Sequence, residues 1–124
     1  MTAVPTAFFA KTYDEVVALA VDARAHMAAP GGAADAMVEA RCGLRLVARI
    51  THMMAWLLRQ RAVHAGEIAA TDALDDEPLG GIEECLDEGA AESCSPALSA
   101  LMDRSLRLYV RIARLDDMVR RNAA

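Results

Sequence analysis

The sequence predicts an all-α fold, and three observations carry that prediction. Hydrophobic residues fill 55% of the 124 positions but aromatics only 4%, so alanine and leucine, both strong helix formers, supply most of the interior. Runs of β-branched residues alternating with period two are nearly absent. Apolar residues recur instead every three or four positions along three long stretches. The expected architecture is an antiparallel three-helix bundle, one helical domain over residues 1–124, with a long central helix and an acidic connector before the last helix.

The first helix is predicted over residues 6–29. Phe9, Tyr13, Val16, Ala20, Ala23 and Met27 trace one face, which Phe8, Leu19 and Val21 broaden at its edges. Pro30-Gly31-Gly32 then ends it, because proline lacks a donor and glycine favours the turn. So tight a connection returns the next helix antiparallel.

The second helix is predicted over 33–64, with Gly66 as terminator, and at 1.5 Å per residue it spans roughly 45 Å. Its stretch from Arg45 to Val63 is too hydrophobic for a one-sided surface helix. It is also too regularly studded with arginine for a membrane span. Two stripes run along it. Met37, Leu44, Val47/Ala48, Thr51, Met54/Ala55, Leu58 and Ala62 form one, broken only by Arg41. Leu46, Ile50, Met53 and Leu57 form the other. Two apolar stripes require two packing partners, or one partner and a neighbouring subunit. Gly43 in the interior costs about 1 kcal/mol against alanine.

Residues 67–95 are expected to form a long, partly ordered connector. Short helices fit Glu67–Leu74 and Ile82–Leu86, around the breakers Pro78, Gly80 and Gly81, and Leu74, Leu79, Ile82 and Leu86 are placed to tack the segment down. Residues 67–92 hold ten acidic side chains and no lysine or arginine, within a net charge of -5. The remainder therefore carries 13 basic groups against 8 acidic ones. Such polarity steers a charged partner, folds the acidic arm onto the chain's own basic helices, or keeps the molecule soluble.

The last helix is predicted over 96–120, with Ser95 as N-cap and Pro96 at the first helical position. Leu98, Leu101/Met102, Ser105, Leu108/Tyr109, Ile112, Leu115 and Val119 form its inner face. Arg104, Arg107, Arg111 and Arg114 make a basic stripe, a candidate surface for a charged partner. Arg120 and Arg121 suit the negative end of the helix dipole.

Little in this chain resembles catalytic machinery. His26, His52 and His64 form no metal-ligand pattern with one another or with Cys42, Cys85 and Cys94. Asp14-Glu15, Glu83-Glu84 and Asp116-Asp117 are neighbours in sequence, and adjacent helical residues do not face each other. The inner stripes lack the glutamates of a carboxylate metal bundle. No catalytic residue, cofactor or metal is therefore assigned, and a small helical enzyme or metalloprotein is the lesser alternative. Nucleic-acid binding through the arginine stripe is a second alternative, disfavoured by the negative net charge and the scarcity of lysine. Lys11, Asp14 and Glu15 interrupt the N-terminal apolar residues too early for a signal peptide, and three cysteines suit a reducing cytoplasm.

Trp56, the lone tryptophan, lies between apolar stripe and basic ridge, which suits a seam between helices or subunits as well as simple core packing. A dimer or protein-binding interface is expected around Ile50, Met53, Trp56, Leu57 and Arg59, helped by Tyr109.

The run Arg45-Leu46-x-x-Arg49 through Met53-x-Ala55-Trp56-Leu57-Leu58-x-x-Arg61-Ala62-Val63, followed by Gly66-Glu67, resembles the central helix of the bacterial regulators of CtrA degradation (RcdA). Ser105-Leu106-Arg107-Leu108-x-x-Arg111-x-x-x-Leu115-Asp116 supports the likeness, and Phe8-Phe9 and Tyr13 fit more loosely, so it spans roughly residues 8–118. The resemblance implies a cytoplasmic, non-enzymatic homodimer that helps deliver cell-cycle proteins, among them CtrA, to the ClpXP protease. Its implied partners are the protease complex, an upstream adaptor or protein cargo; apart from the resemblance, the composition predicts no membrane partner and disfavours nucleic acid. Such tethering raises effective concentration without an active site. Arg59 stands where the family helix usually continues apolar. The chain also stops at Ala124, so no contact of a longer family tail is carried over.

Overall fold

The computed structural model describes residues 6–29, 35–87 and 94–123. Over those residues the chain is all-α, with no strand. Three long helices, α1 (Thr6–Ala28), α2 (Ala36–His64) and α4 (Pro96–Ala123), each contact the other two. Two 3-10 turns (Asp72–Leu74 and Leu79–Gly81) and the one-turn helix α3 (Glu83–Leu86) separate α2 from α4 in sequence and pack against them. A simple three-helix bundle is thus an incomplete description, because the connector supplies a further packed layer.

The helix ends follow local chemistry. Pro30-Gly31-Gly32 and the expected start at Ala33 lie outside the described residues. Asp35 caps α2, its Oδ1 accepting from the backbone N–H groups of Met37 at 3.0 Å and Val38 at 3.3 Å. At the far end Gly66 adopts φ 75°, which lets its own N–H reach Val63 O and the Glu67 N–H reach Ala62 O. This double closure is a Schellman motif, and the left-handed φ suits glycine. Ser95 caps α4: its hydroxyl accepts from the Leu98 N–H at 3.3 Å and its carbonyl from the Ser99 N–H at 2.8 Å.

Chain direction corrects the antiparallel expectation in one place. Phe9 lies against His64 and His26 against Glu39, so α1 and α2 run in opposite directions as expected. But Cys42 meets Cys94, Arg49 meets Met102 and Ser105, and Trp56 meets Asp116, so α2 and α4 run parallel. Parallel neighbours need a connection that crosses back along the bundle, and the connector provides it. Leu79 sits beside Tyr109 and Asp116, then Cys85 beside Arg49, in order from the end of α2 back towards its start.

The core explains which stripe of α2 faces inward. Cys42, Leu46, Arg49, Met53, Trp56, Leu57 and Gln60 are buried, at spacings of three and four. They pack with Val16 and Leu19 of α1 and with Met102, Tyr109 and Ile112 of α4. The connector adds Leu79 and Cys85 to the core and packs Ile82 and Leu86 against it, so Leu79, Ile82 and Leu86 do tack it down as expected. Leu74 is only partly buried, and its neighbour Ala73 takes the inward place.

Gly43 marks a close approach of α1 to α2, since a Cβ there would stand 3.3 Å from Met27 Cε. That methyl ends a flexible side chain that is 47% exposed, so it yields easily. Gly43→Ala is therefore expected to stabilise the fold by about 0.5 kcal/mol, most of the helix-propensity gain surviving the shift. A raised urea midpoint at unchanged slope checks this. A lowered midpoint would mean that Met27 is held rigidly.

A candidate docking groove along the first two long helices

Much of the α2 stripe that begins at Met37 has no cover, although Ala48 and Met54 are half-buried against the core. Met37, Leu44, Val47 and Leu58 are exposed, Leu44 by 71%, although they are as apolar as the residues facing the core. On α1, Val17, Val21 and Met27 are exposed as well. Isolated apolar side chains at a surface are ordinary, but a stripe that follows one helix along its length marks an interaction face.

The groove between the helices gives this face its shape. Near the end of α1 a hollow of about 510 Å³ is lined by Met27, Ala40, Gly43, Leu44, Val47 and Leu98. It continues into a shallow apolar depression between Ala20, Ala23 and Met27 of α1 and Val47, Ile50 and Thr51 of α2. Met27 and Val47 border both, so the two form one surface. At the opposite end of the helix pair, Phe9, Tyr13, Leu57, Arg61 and His64 line a narrower hollow of about 320 Å³. Small residues at Ala20, Ala40 and Gly43 keep the floor open for side chains from outside.

A polar cluster closes the first hollow. Glu39 accepts from the Ser95 backbone N–H at 2.8 Å through Oε1 and from its hydroxyl at 2.7 Å through Oε2, and Oε2 lies 3.3 Å from His26 Nε2. The Ser95 amide, then its hydroxyl, hold the Glu39 carboxyl below its ordinary range. The cluster ties the end of α1 and the starts of α2 and α4 together.

The expected interface residues fall elsewhere. Met53, Trp56, Leu57 and Tyr109 are buried within the single chain, so they are core and not a seam between subunits. Arg59 pairs with Asp76 of the connector at 2.6 Å. Only Ile50 keeps a place on the open face, in the depression beside Thr51. The physical reason is shared between two elements: α1 brings Phe9 against Trp56 and Leu57, and the returning connector brings Leu79 against Tyr109.

The arginine stripe of α4 is divided. Arg104 pairs with Asp22 at 2.5 Å and Arg111 with Glu15, both on α1. Arg107 and Arg114 are exposed and pair with no acid among the described residues. The acidic arm meanwhile folds onto the chain's own basic side chains, through Arg59–Asp76 and through Arg45–Asp87 at 3.2 Å. Glu88 and Glu92 of that arm lie outside the described residues.

Two buried polar centres were not anticipated, and they hold the connector in place. Arg49, 1% exposed, donates to the carbonyl oxygens of Cys85 (2.7 Å), Asp87 (2.9 Å) and Met102 (3.1 Å) and to Ser105 Oγ (3.0 Å). Asp116, 2% exposed, accepts from Trp56 Nε1 at 2.9 Å, the Leu79 N–H at 3.0 Å and Arg120 Nε at 2.9 Å. Helical register places each on a buried face only once the inward stripe is known. Arg49 stands three after Leu46 and four before Met53, and Asp116 four after Ile112. Among the described residues, no group of three or more histidine, cysteine or acidic side chains could hold a metal ion, and no helix is long and apolar enough to cross a membrane.

A family model described as a protein of unknown function (DUF1465) matches residues 2–124, and the chain belongs to that family. No curated protein and no solved structure matches it.

Proposed function

We propose that this DUF1465 member is a non-enzymatic protein-binding adaptor, a cytoplasmic homodimer built on its three long helices that helps bring cell-cycle proteins to the ClpXP protease. The observation that carries the docking part is the uncovered stripe of Met37, Leu44, Val47 and Leu58 beside Met27. Covering each such side chain is worth about 1.5–3 kcal/mol, enough for several together to offset the cost of association. A second copy of the chain is the proposed occupant of the groove. The protease and its cargo come from the likeness of the Arg45–Val63 run to the RcdA family, and the surface proposed for them is α4, where Arg107 and Arg114 are exposed and pair with no acid among the described residues.

Sedimentation of the whole chain at micromolar concentration tests the dimer. The wild type is expected to sediment as a dimer. Leu44→Asp and Val47→Asp each weaken association by roughly ten- to a hundredfold, while helicity stays unchanged because both positions are exposed within the chain. A wild type that remains monomeric removes the second copy from the groove. Addition of the chain to a reconstituted ClpXP reaction with its priming adaptor is the separate test of delivery. Unaltered cargo degradation there removes the protease role and leaves the dimer standing.

A further inference from the structure

The two thiols at the base of the connector are 52 positions apart in sequence, yet Cys94 Sγ donates to Cys42 Sγ at 2.8 Å. That separation is about 0.8 Å beyond a disulfide bond length of about 2.05 Å. Cys42 is fully buried on α2, whereas Cys94 is partly exposed immediately before the Ser95 cap of α4. We infer that Cys42 and Cys94 form a dithiol–disulfide site, oxidised by small-molecule disulfides, that fastens the start of α4 and the end of the connector to α2.

Accessibility sets the order of the steps. The Cys94 thiolate attacks one sulfur of a low-molecular-weight disulfide, breaks its S–S bond and releases one thiolate. The Cys42 thiolate then attacks Cys94 Sγ in the mixed disulfide and releases the second. The chain gives up two protons and two electrons, and the small disulfide takes them as two thiols. Burial, followed by the neighbouring Cys42, pushes the Cys94 thiol up to about 12, so the thiolate is scarce near neutrality. The site is consequently slow at pH 7, and its rate rises with pH. Cys85 makes an internal control: it is buried in α3, and burial raises its thiol too.

The whole chain is incubated with oxidised glutathione in native buffer, quenched in acid, alkylated and mapped by mass spectrometry. The expected product has lost two hydrogen masses, links Cys42 to Cys94 and leaves Cys85 alkylated. Its formation accelerates about tenfold per pH unit between about pH 7 and 9. Because the bond closes a loop of about 50 residues, the melting temperature rises by on the order of 10 °C, and dithiothreitol reverses the rise. In urea the preference switches to Cys85–Cys94, which closes a far shorter loop. Cys94→Ser is expected to show no linkage and no thermal shift, while Cys85→Ser keeps both. Glutathione that stays on Cys94 without resolution, a native linkage through Cys85, or a rate independent of pH would each overturn the inference.

Discussion

Replacing Arg49 with methionine is expected to destabilise the chain by about 2–4 kcal/mol, even though the substitution exchanges a buried cation for an apolar side chain of similar length. Exchanges of that kind are often neutral where charged partners leave together. The four acceptors described for Arg49 are three backbone carbonyls and a hydroxyl, and they cannot leave. Met102 O retains the Ser105 hydroxyl as donor. The carbonyls of Cys85 and Asp87 lose the link that holds α3 against α2 and α4. Each buried acceptor left without a donor costs about 1–3 kcal/mol, which outweighs the relief of not burying the cation. Arg49→Lys is expected to lose about half as much, since one ammonium group cannot reach acceptors that the guanidinium spans. Urea unfolding measures the loss, and amide exchange locates it: protection should fall first from Leu79 to Asp87, before the long helices open. A methionine variant as stable as the wild type, with the connector still protected, would show that apolar packing alone holds the connector.

Arg49 also shows how far sequence reasoning reaches. The period of three and four along α2 located both apolar stripes, but it did not tell which one faces the core. Leu46, Met53 and Leu57 share their buried face with Arg49 and Gln60, two polar side chains, whereas the stripe from Met37 to Leu58 is broken only by Arg41. The decision was made by backbone carbonyls 36 and 53 positions away, which turn an arginine into a core residue. Hydrophobic periodicity holds no record of such acceptors.

The direction of α4 was hidden for a related reason. A connector of this length can leave the next helix parallel or antiparallel to α2, and the return path is fixed by Leu79, Cys85 and their partners on α4 and α2. Once the path is set, Cys42 and Cys94 meet and the tryptophan side of α2 is covered. The uncovered face then moves to Leu44 and Val47. The Gly66 terminator and the Ser95 cap were legible because they depend on residues next to them in sequence, whereas an expected helix start at residue 33 passes over the Asp35 cap. The docking groove was half legible: its stripe was visible, but its exposure depended on contacts formed across the whole chain.

Asp116→Asn is expected to cost about 2–4 kcal/mol, with the tryptophan as its own reporter. One carboxylate oxygen takes the Trp56 indole N–H and Arg120 Nε, and the other takes the Leu79 N–H. All three partners are donors. Asparagine offers one acceptor oxygen and an NH₂ group, so whichever way its amide turns, a donor is set against a donor in a site only 2% exposed. If the amide faces Leu79, the 3-10 turn Leu79–Gly81 loosens, and with it the carbonyl that accepts from Tyr109 Oη at 2.7 Å. If it faces the indole, Trp56 and Arg120 lose their acceptor, and the hold of Arg120 on the carbonyls of Leu74 and Asp76 weakens. Both orientations act on the connector and neither acts on the groove along α1. Fluorescence of the single tryptophan is expected to shift to the red, with the unfolding midpoint lowered. Association measured by sedimentation is expected to stay within about twofold of wild type, because the docking residues lie on the opposite face of α2. An asparagine variant within about 0.5 kcal/mol of wild type, with unshifted emission, would mean that these three donors do not depend on two carboxylate oxygens.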